Sequence, residues 1–305
     1  MTVAARIGAH VFHALLGMFF LLVLVFAMVR LTGDPTYVLL PEDASPRSRE
    51  LLRLELGLDE PLPVQFRIYI GNLFQGDLGT SFRNRIPVTE LIALRLPNTL
   101  ILAAAALALI LPAGIILGVY SAYWQGGAVD RVIRFNAALG QAVPDFWLGI
   151  TLILVFAVYA RILPPGGKGG VEHLILPAVT MAYVRMAGLV RLVRSSTIDA
   201  LASDYVKFLR IKGLPERKVL WKHALRNAGM TALTFVGLLT AGLLTGSVLV
   251  ETVFSWPGVG RLMTEAIRQR DFTVVQGVML LFASVYIGVN LLVDVLYTLL
   301  NPRLR

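Results

Sequence analysis

Few residues of this chain could carry chemistry, and their spacing fits no common catalytic motif. The glycine-rich stretch GGKGG at 166–170 lacks the G-x-x-x-x-G-K-[ST] spacing that cradles a nucleotide phosphate. G-x-S-x-G and H-E-x-x-H sequences are absent, and there is no cysteine for a thiolate site or a disulfide. We therefore expect that the chain is not an enzyme, binds no metal, and holds no cofactor of its own.

Two histidines leave one alternative to that expectation. His10 and His13 are three residues apart, so on a helix they could share a face and bind a metal ion. They also stand where an apolar segment begins. We favour the interpretation that they are two polar residues at the entry of a membrane helix.

The other chemically notable side chains are polar groups inside apolar segments: Asp145, Arg185, Asn290 and Asp294. Intramembrane charges are costly, and they mark a transport pathway or pair with one another. Arg185 is therefore expected either to pair with Asp145 or Asp294, or to face a pathway and meet a substrate carboxylate. All four are candidates for lining a path.

The segments that hold these groups are long enough to cross a membrane. Hydrophobic residues make up 56% of the 305, and charged residues only 15%, against about 25% in soluble domains. A crossing helix needs roughly 20 apolar residues. Five windows qualify: Val11–Val29, Leu100–Tyr120, Leu174–Val193, Met230–Val250 and Val274–Leu300. A sixth, 132–160, is interrupted around Pro144 and predicts a kinked span. The prediction is an all-α integral membrane protein with six helices.

Basic residues predict how these spans are oriented. Nine Lys and Arg but only three acids fall in 191–226. With the N-terminus inside, the short inner segments carry 14 Lys and Arg and the short outer loops five. Cytoplasmic loops carry the excess of positive charge, so both termini should be cytoplasmic. The same rule accounts for the net charge of +9, so the charge does not indicate nucleic-acid binding.

A charged segment, 31–96, separates the first span (1–30) from the remaining five (97–300). Ser45-Pro46 predicts a helix start, and Gly57 a helix stop. Pro87 followed by Val88, Leu91 and Ile92 predicts a short amphipathic helix at the membrane surface. We expect a small, mostly helical cap outside the membrane. The first apolar run is long for a signal peptide and lacks a small-x-small cleavage site, so it should be retained.

The basic loop between the fourth and fifth spans, 195–228, predicts two short helices that meet at a glycine. Ser203-Asp204 can cap a helix that runs to Lys212, and Gly213 can then take the left-handed conformation. Leu214 would fold back and Pro215 would begin a second helix. The alternative is a solvated loop that only orients the protein, and sequence physics does not choose between the two.

Short segments spread along the whole chain form an ordered set. DYV, KGL and HALRNA lie at 204–228, and the others lie at 76–81 (GDLGTS), 87–88 (PV), 95–100 (RLPNTL), 144–149 (PDFWLG), 173–178 (HLILPA), 194–196 (RSS), 251–261, 270–271 (RD), 290–294 (NLLVD) and 301–303 (NPR), the last in the tail 301–305. Through these segments the chain resembles the dipeptide, oligopeptide and nickel permeases of ATP-binding-cassette (ABC) importers, with the cap of the family's first permease subunit. The segments at 204–228 resemble the family's coupling loop.

The resemblance implies a type I importer fold and several partners: a second permease chain, two ATPase subunits that bind the ATP, and an extracytoplasmic binding protein. The coupling residues it implies are Asp204, Tyr205, Lys212, Gly213, Leu214, His223, Arg226 and Asn227. Short peptides are the implied cargo, with nickel chelates and glycoconjugates as alternatives. An ion-coupled secondary transporter is the alternative of another class, and it would need no glycine-cornered loop.

Three departures from the family pattern concern the fit of that loop. Leu209 and Ile211 stand where small residues are usual, and Thr231 stands where a proline is usual. They put the fit to an ATPase subunit in question. The glycine corner and its flanking pattern are retained.

Overall fold

The computed structural model describes residues 3–31, 36, 45–55 and 57–300, and these residues form helices and connecting loops without a β-sheet. The helices are α1 (Val3–Leu31), α2 (Pro46–Glu55), α3 (Leu62–Phe74), α4 (Val88–Tyr123), α5 (Ala128–Ala142), α6 (Asp145–Leu152), α7 (Glu172–Ala202), α8 (Asp204–Ile211), α9 (Glu216–Lys218), α10 (Leu225–Thr245), α11 (Val248–Val253), α12 (Val259–Arg268) and α13 (Phe272–Leu300). Two π-helical stretches, Ile153–Tyr159 and Val219–Ala224, extend α6 and join α9 to α10. The tail 301–305 lies outside the described residues.

Five helical segments are long and apolar enough to cross a membrane. They are Ile7–Met28, Val88–Tyr123, Glu172–Ala202, Phe235–Val253 and Phe272–Val293. The predicted sixth span is a pair of helices, Ala128–Ala142 and Asp145–Tyr159, bent by 104°. The all-α membrane fold is confirmed, with five spans or six if the bent pair is one.

The bend is sharper than the predicted kink, and the residue before Pro144 explains it. Val143 has φ −89° and ψ 124°, the extended conformation that a following proline imposes on its neighbour. The helix therefore ends at Ala142 and a new one starts at Asp145. The pair also ends in a π-helical stretch, Ile153–Tyr159.

The helix that follows Pro87 is not a separate surface helix, so that prediction is wrong. α4 runs without a break from Val88 to Tyr123, with Pro97 inside it. A proline inside a membrane helix is tolerated where neighbours satisfy the freed backbone groups. The division at residue 97 is thus not a break in secondary structure.

The core of the bundle is the contact between α4 and α7. Gly114 and Gly118 allow it, because a Cβ at either position would come within 2.7 Å of Leu189 or Val193. Small residues let membrane helices approach closely and gain van der Waals contact. α13 packs against α1 and α10 on another side of the bundle.

Within the segment between α1 and α4, α2 begins and ends where the sequence predicts. The Ser48 amide donates to Ser45 Oγ at 3.1 Å, which caps α2, and Gly57 at φ 61° ends it. α3 is tied to the first span through Phe26, whose ring centroid lies 5.2 Å from Phe66 and 5.7 Å from Tyr69.

Candidate functional site: the helical hairpin and the intramembrane polar groups

The loop predicted to couple the protein to a partner forms a hairpin of α8 and the helical segment from Glu216 onward. Ser203 precedes α8, but its hydroxyl bonds back to the Ala200 carbonyl oxygen and caps no amide of α8. The Asp204 carboxylate instead holds Lys207 Nζ at 2.8 Å. An acidic residue in the first turn also suits the helix dipole.

Gly213 forms the corner of this hairpin in the predicted left-handed conformation, with φ 76°. Its amide donates to the Arg210 carbonyl at 2.9 Å, and the Leu214 amide donates to the Leu209 carbonyl at 3.2 Å. This pair of hydrogen bonds is the Schellman motif, which satisfies the last carbonyls of a helix. A Cβ on Gly213 would meet nothing within 4 Å, so only the backbone conformation demands glycine there.

Contacts between the two arms hold the hairpin closed. Arg210 donates from Nε and Nη2 to the two carboxylate oxygens of Glu216, at 2.8 and 3.3 Å. The α8 side chain that points inward, Val206, is fully buried, as is Val219 opposite. Tyr205 Oη reaches the His223 carbonyl oxygen at 3.5 Å. The arms are thus one unit rather than a loose loop.

The outer face of the hairpin is apolar and basic. Tyr205, Phe208 and Ile211, three residues apart along α8, are 37%, 54% and 83% exposed. Lys212 Nζ lies 4.5 Å above the Phe208 ring. Exposed apolar side chains rimmed by charge are typical of surfaces that contact another protein, a membrane or a ligand.

The structure keeps most of the predicted coupling residues in this hairpin. His223 lies in the π-helical stretch and Arg226 is exposed at the start of α10. The side chain of Asn227 lies outside the described residues. Of the three departures from the family pattern, Ile211 is on the exposed face and Leu209 is half-buried, whereas the side chain of Thr231 lies outside the described residues.

Among the intramembrane candidates, the structure joins Arg185 to Asp145. Arg185 Nη1 donates to Asp145 Oδ2 at 2.9 Å, and the two side chains are 17% and 18% exposed. The guanidinium also lies 3.3 Å from the Gly246 carbonyl oxygen and 3.4 Å from that of Met181. The Arg185 side chain therefore connects two helix ends: Asp145, the first residue of α6, and Gly246, which follows the last residue of α10.

Of the other two candidates, both on α13, only Asn290 has a described side chain. Asn290 is half-buried and is not a hydrogen-bond partner of Arg185 in the described residues. The side chain of Asp294 lies outside the description. Their assignment to a path stays a prediction.

Comparison with known proteins identifies the chain. Residues 114–305 match the family described as the inner membrane component of binding-protein-dependent transport systems. Residues 3–103 match the N-terminal part of such a membrane component. The chain is a permease of this family. A peptide transport permease of Brucella abortus is 40% identical over 99% of both chains, and a glutathione transport permease of Escherichia coli is 41% identical over 97% of this chain and 98% of its own. The oligopeptide transport permease AppB of Bacillus subtilis is 39% identical over 90% of each.

The family-like segments of the permease meet at a buried polar joint to which no role was predicted. Glu251 is fully buried and accepts hydrogen bonds from Thr99 Oγ1 at 2.7 Å, Ser247 Oγ at 2.9 Å and the Arg261 amide at 3.0 Å. The Val259 amide donates to Thr99 Oγ1 at 2.9 Å. The joint therefore caps the start of α12 and fixes it to α4.

Glycines and an aromatic residue complete this joint. A Cβ on Gly258 would come within 2.4 Å of the Glu251 carboxylate, so no larger residue fits there without movement. Trp256 Nε1 donates to the Asn98 carbonyl at 2.9 Å, and Asn98 Nδ2 donates to the Pro257 carbonyl at 2.7 Å. An acid inside an apolar stretch was the signal that sequence reasoning passed over.

Two further acids organise the permease. Asp271, before α13, accepts hydrogen bonds from Ser81 Oγ at 2.6 Å and from the Phe82 amide at 3.3 Å. These bonds connect the 76–87 loop to the start of the last helix. Asp130 accepts Arg194 Nε at 2.8 Å and Ser121 Oγ at 2.6 Å, and thereby joins α4, α5 and α7.

Proposed function

We propose that this permease is one of two permease subunits of an ABC importer for short peptides. The names of the similar permeases support this cargo, since they refer to peptides, oligopeptides and glutathione. These names favour a peptide over a nickel chelate or a glycoconjugate. In this proposal a second, similar permease chain completes the path, and an extracytoplasmic binding protein delivers the substrate.

The observation that carries the proposal is the glycine-cornered hairpin with its exposed Tyr205, Phe208 and Ile211. In the proposed complex this face docks on one of two ATPase subunits, which bind the ATP. Closure of the ATPases on ATP would move the hairpin as a unit, because both arms bury apolar side chains, Val206 and Val219, and the Gly213 corner joins them. The spans would have two alternative packing arrangements, and ATP and the loaded binding protein would each shift the equilibrium between them.

We propose that both termini are cytoplasmic and that the segment 31–96 lies outside, where it contacts the binding protein or shields the outer mouth. The excess of Lys and Arg in 191–226 supports this orientation. Exposed apolar side chains on the segment support a protein contact: Leu51, Leu54 and Phe74 are 59%, 62% and 88% exposed.

Two substitutions at one position test the coupling role. Valine is strained at positive φ, whereas asparagine is among the residues that adopt it most readily. We expect Gly213→Val to uncouple substrate-stimulated ATP hydrolysis from uptake, and Gly213→Asn to retain most of both activities. Since the position has open space around it, bulk does not explain a difference between the two.

The measurements are co-purification of the ATPase subunits, ATP hydrolysis with and without loaded binding protein, and uptake into vesicles. Transport at the parental rate by Gly213→Val would overturn the assignment of the hairpin as the coupling element.

A further inference from the structure

Four arginines line one open cavity between α5 and α7. The cavity has a volume of about 830 Å³, and Arg131, Arg134, Arg191 and Arg194 line it together with Phe135, Ala138, Gln141 and Ala142. No acidic residue is among the lining side chains. The permease thus builds a concave, strongly cationic surface whose lining includes neither a hairpin residue nor Arg185 or Asp145.

The nearest carboxylate does not neutralise this cavity. Asp130 is fully buried and already accepts hydrogen bonds from Ser121, Gly126 and two nitrogens of Arg194. Arg134 lies 4.0 Å from it and is 60% exposed, and within the described residues Arg131 has no carboxylate at ion-pair distance. Charge for an anionic ligand is therefore available on Arg131 and Arg134.

The length of α7 up to the cavity matches the distance from one headgroup layer to the other. Arg191 is 19 residues after Glu172, the first residue of α7, and at 1.5 Å per residue this distance is about 28 Å, close to the thickness of the hydrocarbon layer. Tyr123 and Trp124, which precede α5, are 42% and 53% exposed. Exposed aromatic residues of this kind concentrate at the membrane interface.

The lining also has an apolar side. Phe135 is 64% exposed, and the neighbouring Val132 is 60% exposed. The phosphodiester of a phospholipid could contact the guanidinium groups while the acyl chains of the same lipid pack along α5.

We propose that this cavity binds the headgroup of an anionic phospholipid from the cytoplasmic leaflet. The leaflet assignment rests on the orientation proposed above; the lipid site itself does not. Basic pockets between membrane helices recognise such headgroups through Arg–phosphate hydrogen bonds. Arg131 and Arg134 supply the positive charge. Arg194, whose guanidinium is hydrogen-bonded to Asp130, forms a fixed part of the cavity wall.

The test is native mass spectrometry of the complete transporter, titrated with phosphatidylglycerol or with phosphatidylcholine. We expect one phosphatidylglycerol to bind more tightly than phosphatidylcholine. At about five- to sixfold per arginine, Arg131→Gln with Arg134→Gln should weaken that binding about thirtyfold. Arg67→Gln with Arg268→Gln removes the same charge from exposed sites elsewhere and should leave it unchanged.

Equal binding of the two lipids, or no loss in the Arg131/Arg134 variant, would overturn the proposal. Competition by inorganic phosphate as strong as that by phosphatidylglycerol would also overturn it, because a free anion site needs no lipid. If cysteine labelling inverts the orientation while the thirtyfold loss persists, the orientation fails and the lipid site stands in the opposite leaflet.

Discussion

The Arg185–Asp145 pair allows a double-mutant cycle whose size follows from its burial. Removing one partner of a buried pair leaves an uncompensated charge, at a cost of about 3–5 kcal/mol. Both side chains retain a little exposure, 17% and 18%, so we take about 3 kcal/mol for each of Arg185→Met and Asp145→Asn. Independent effects would sum to about 6 kcal/mol in the double variant. Because the double variant leaves neither charge unpaired, we expect it to cost no more than either single change.

The assay is the free energy of unfolding of the purified permease in mixed micelles, titrated with a denaturing detergent. A matched cycle uses Arg210→Met and Glu216→Gln, since that arginine–carboxylate pair is 42% and 45% exposed. Exposed pairs couple by less than about 1 kcal/mol. A coupling energy of about 3 kcal/mol in the first cycle and a small one in the second would match the geometry.

Additive losses at Arg185 and Asp145 would refute this reasoning, because they would show that neither charge depends on the other. Uptake by the same variants tests the second role predicted for Arg185. If it also meets a substrate carboxylate, an assembled Arg185→Met complex should lose uptake of anionic substrates more than of neutral analogues. Equal uptake of both would exclude that role.

Two other predictions concern the orientation and the buried joint. Cysteines at Ser48 and Asn72 should react with a membrane-impermeant reagent in intact cells, and labelling only after lysis would invert the proposed topology. Glu251→Leu should destabilise the permease by several kcal/mol, at about 1–3 kcal/mol for each buried donor left without an acceptor. The exposed Glu90→Leu is its control, and equal thermal stability of the two variants would contradict the role of the joint.

The sequence could predict the features that depend on neighbours along the chain. The corner at Gly213 and the start of α2 at Ser45-Pro46 follow from the conformations that these residue types prefer. Where the outcome depended on surrounding helices, prediction was weaker. The helix that begins after Pro87 was expected to be short and separate from the second span, yet it continues through Pro97 into that span, because a membrane bundle can satisfy the backbone around a proline.

The partner of Arg185 illustrates the same limit. The cost of an intramembrane charge predicts that a partner or a wet surface exists, but Asp145 and Asp294 were equivalent by that criterion. What separates them is the sharp turn at Val143-Pro144, which begins a new helix with Asp145 beside α7. The 104° size of that bend depends on packing and could not be derived from the proline alone.

The joint at Glu251 shows why separate family segments are needed together. A carboxylate buried in an apolar layer requires donors at short range, since water is absent there. Its donors come from Thr99 on α4, Ser247 and the Arg261 amide, and Gly258 leaves room for the carboxylate. Loss of the Thr99 hydroxyl removes one donor from Glu251 and also leaves the Val259 amide without its acceptor, so the 95–100 and 251–261 segments depend on each other. The need for donors can be inferred from one acidic residue, whereas their identity depends on contacts that span about 150 positions of the chain.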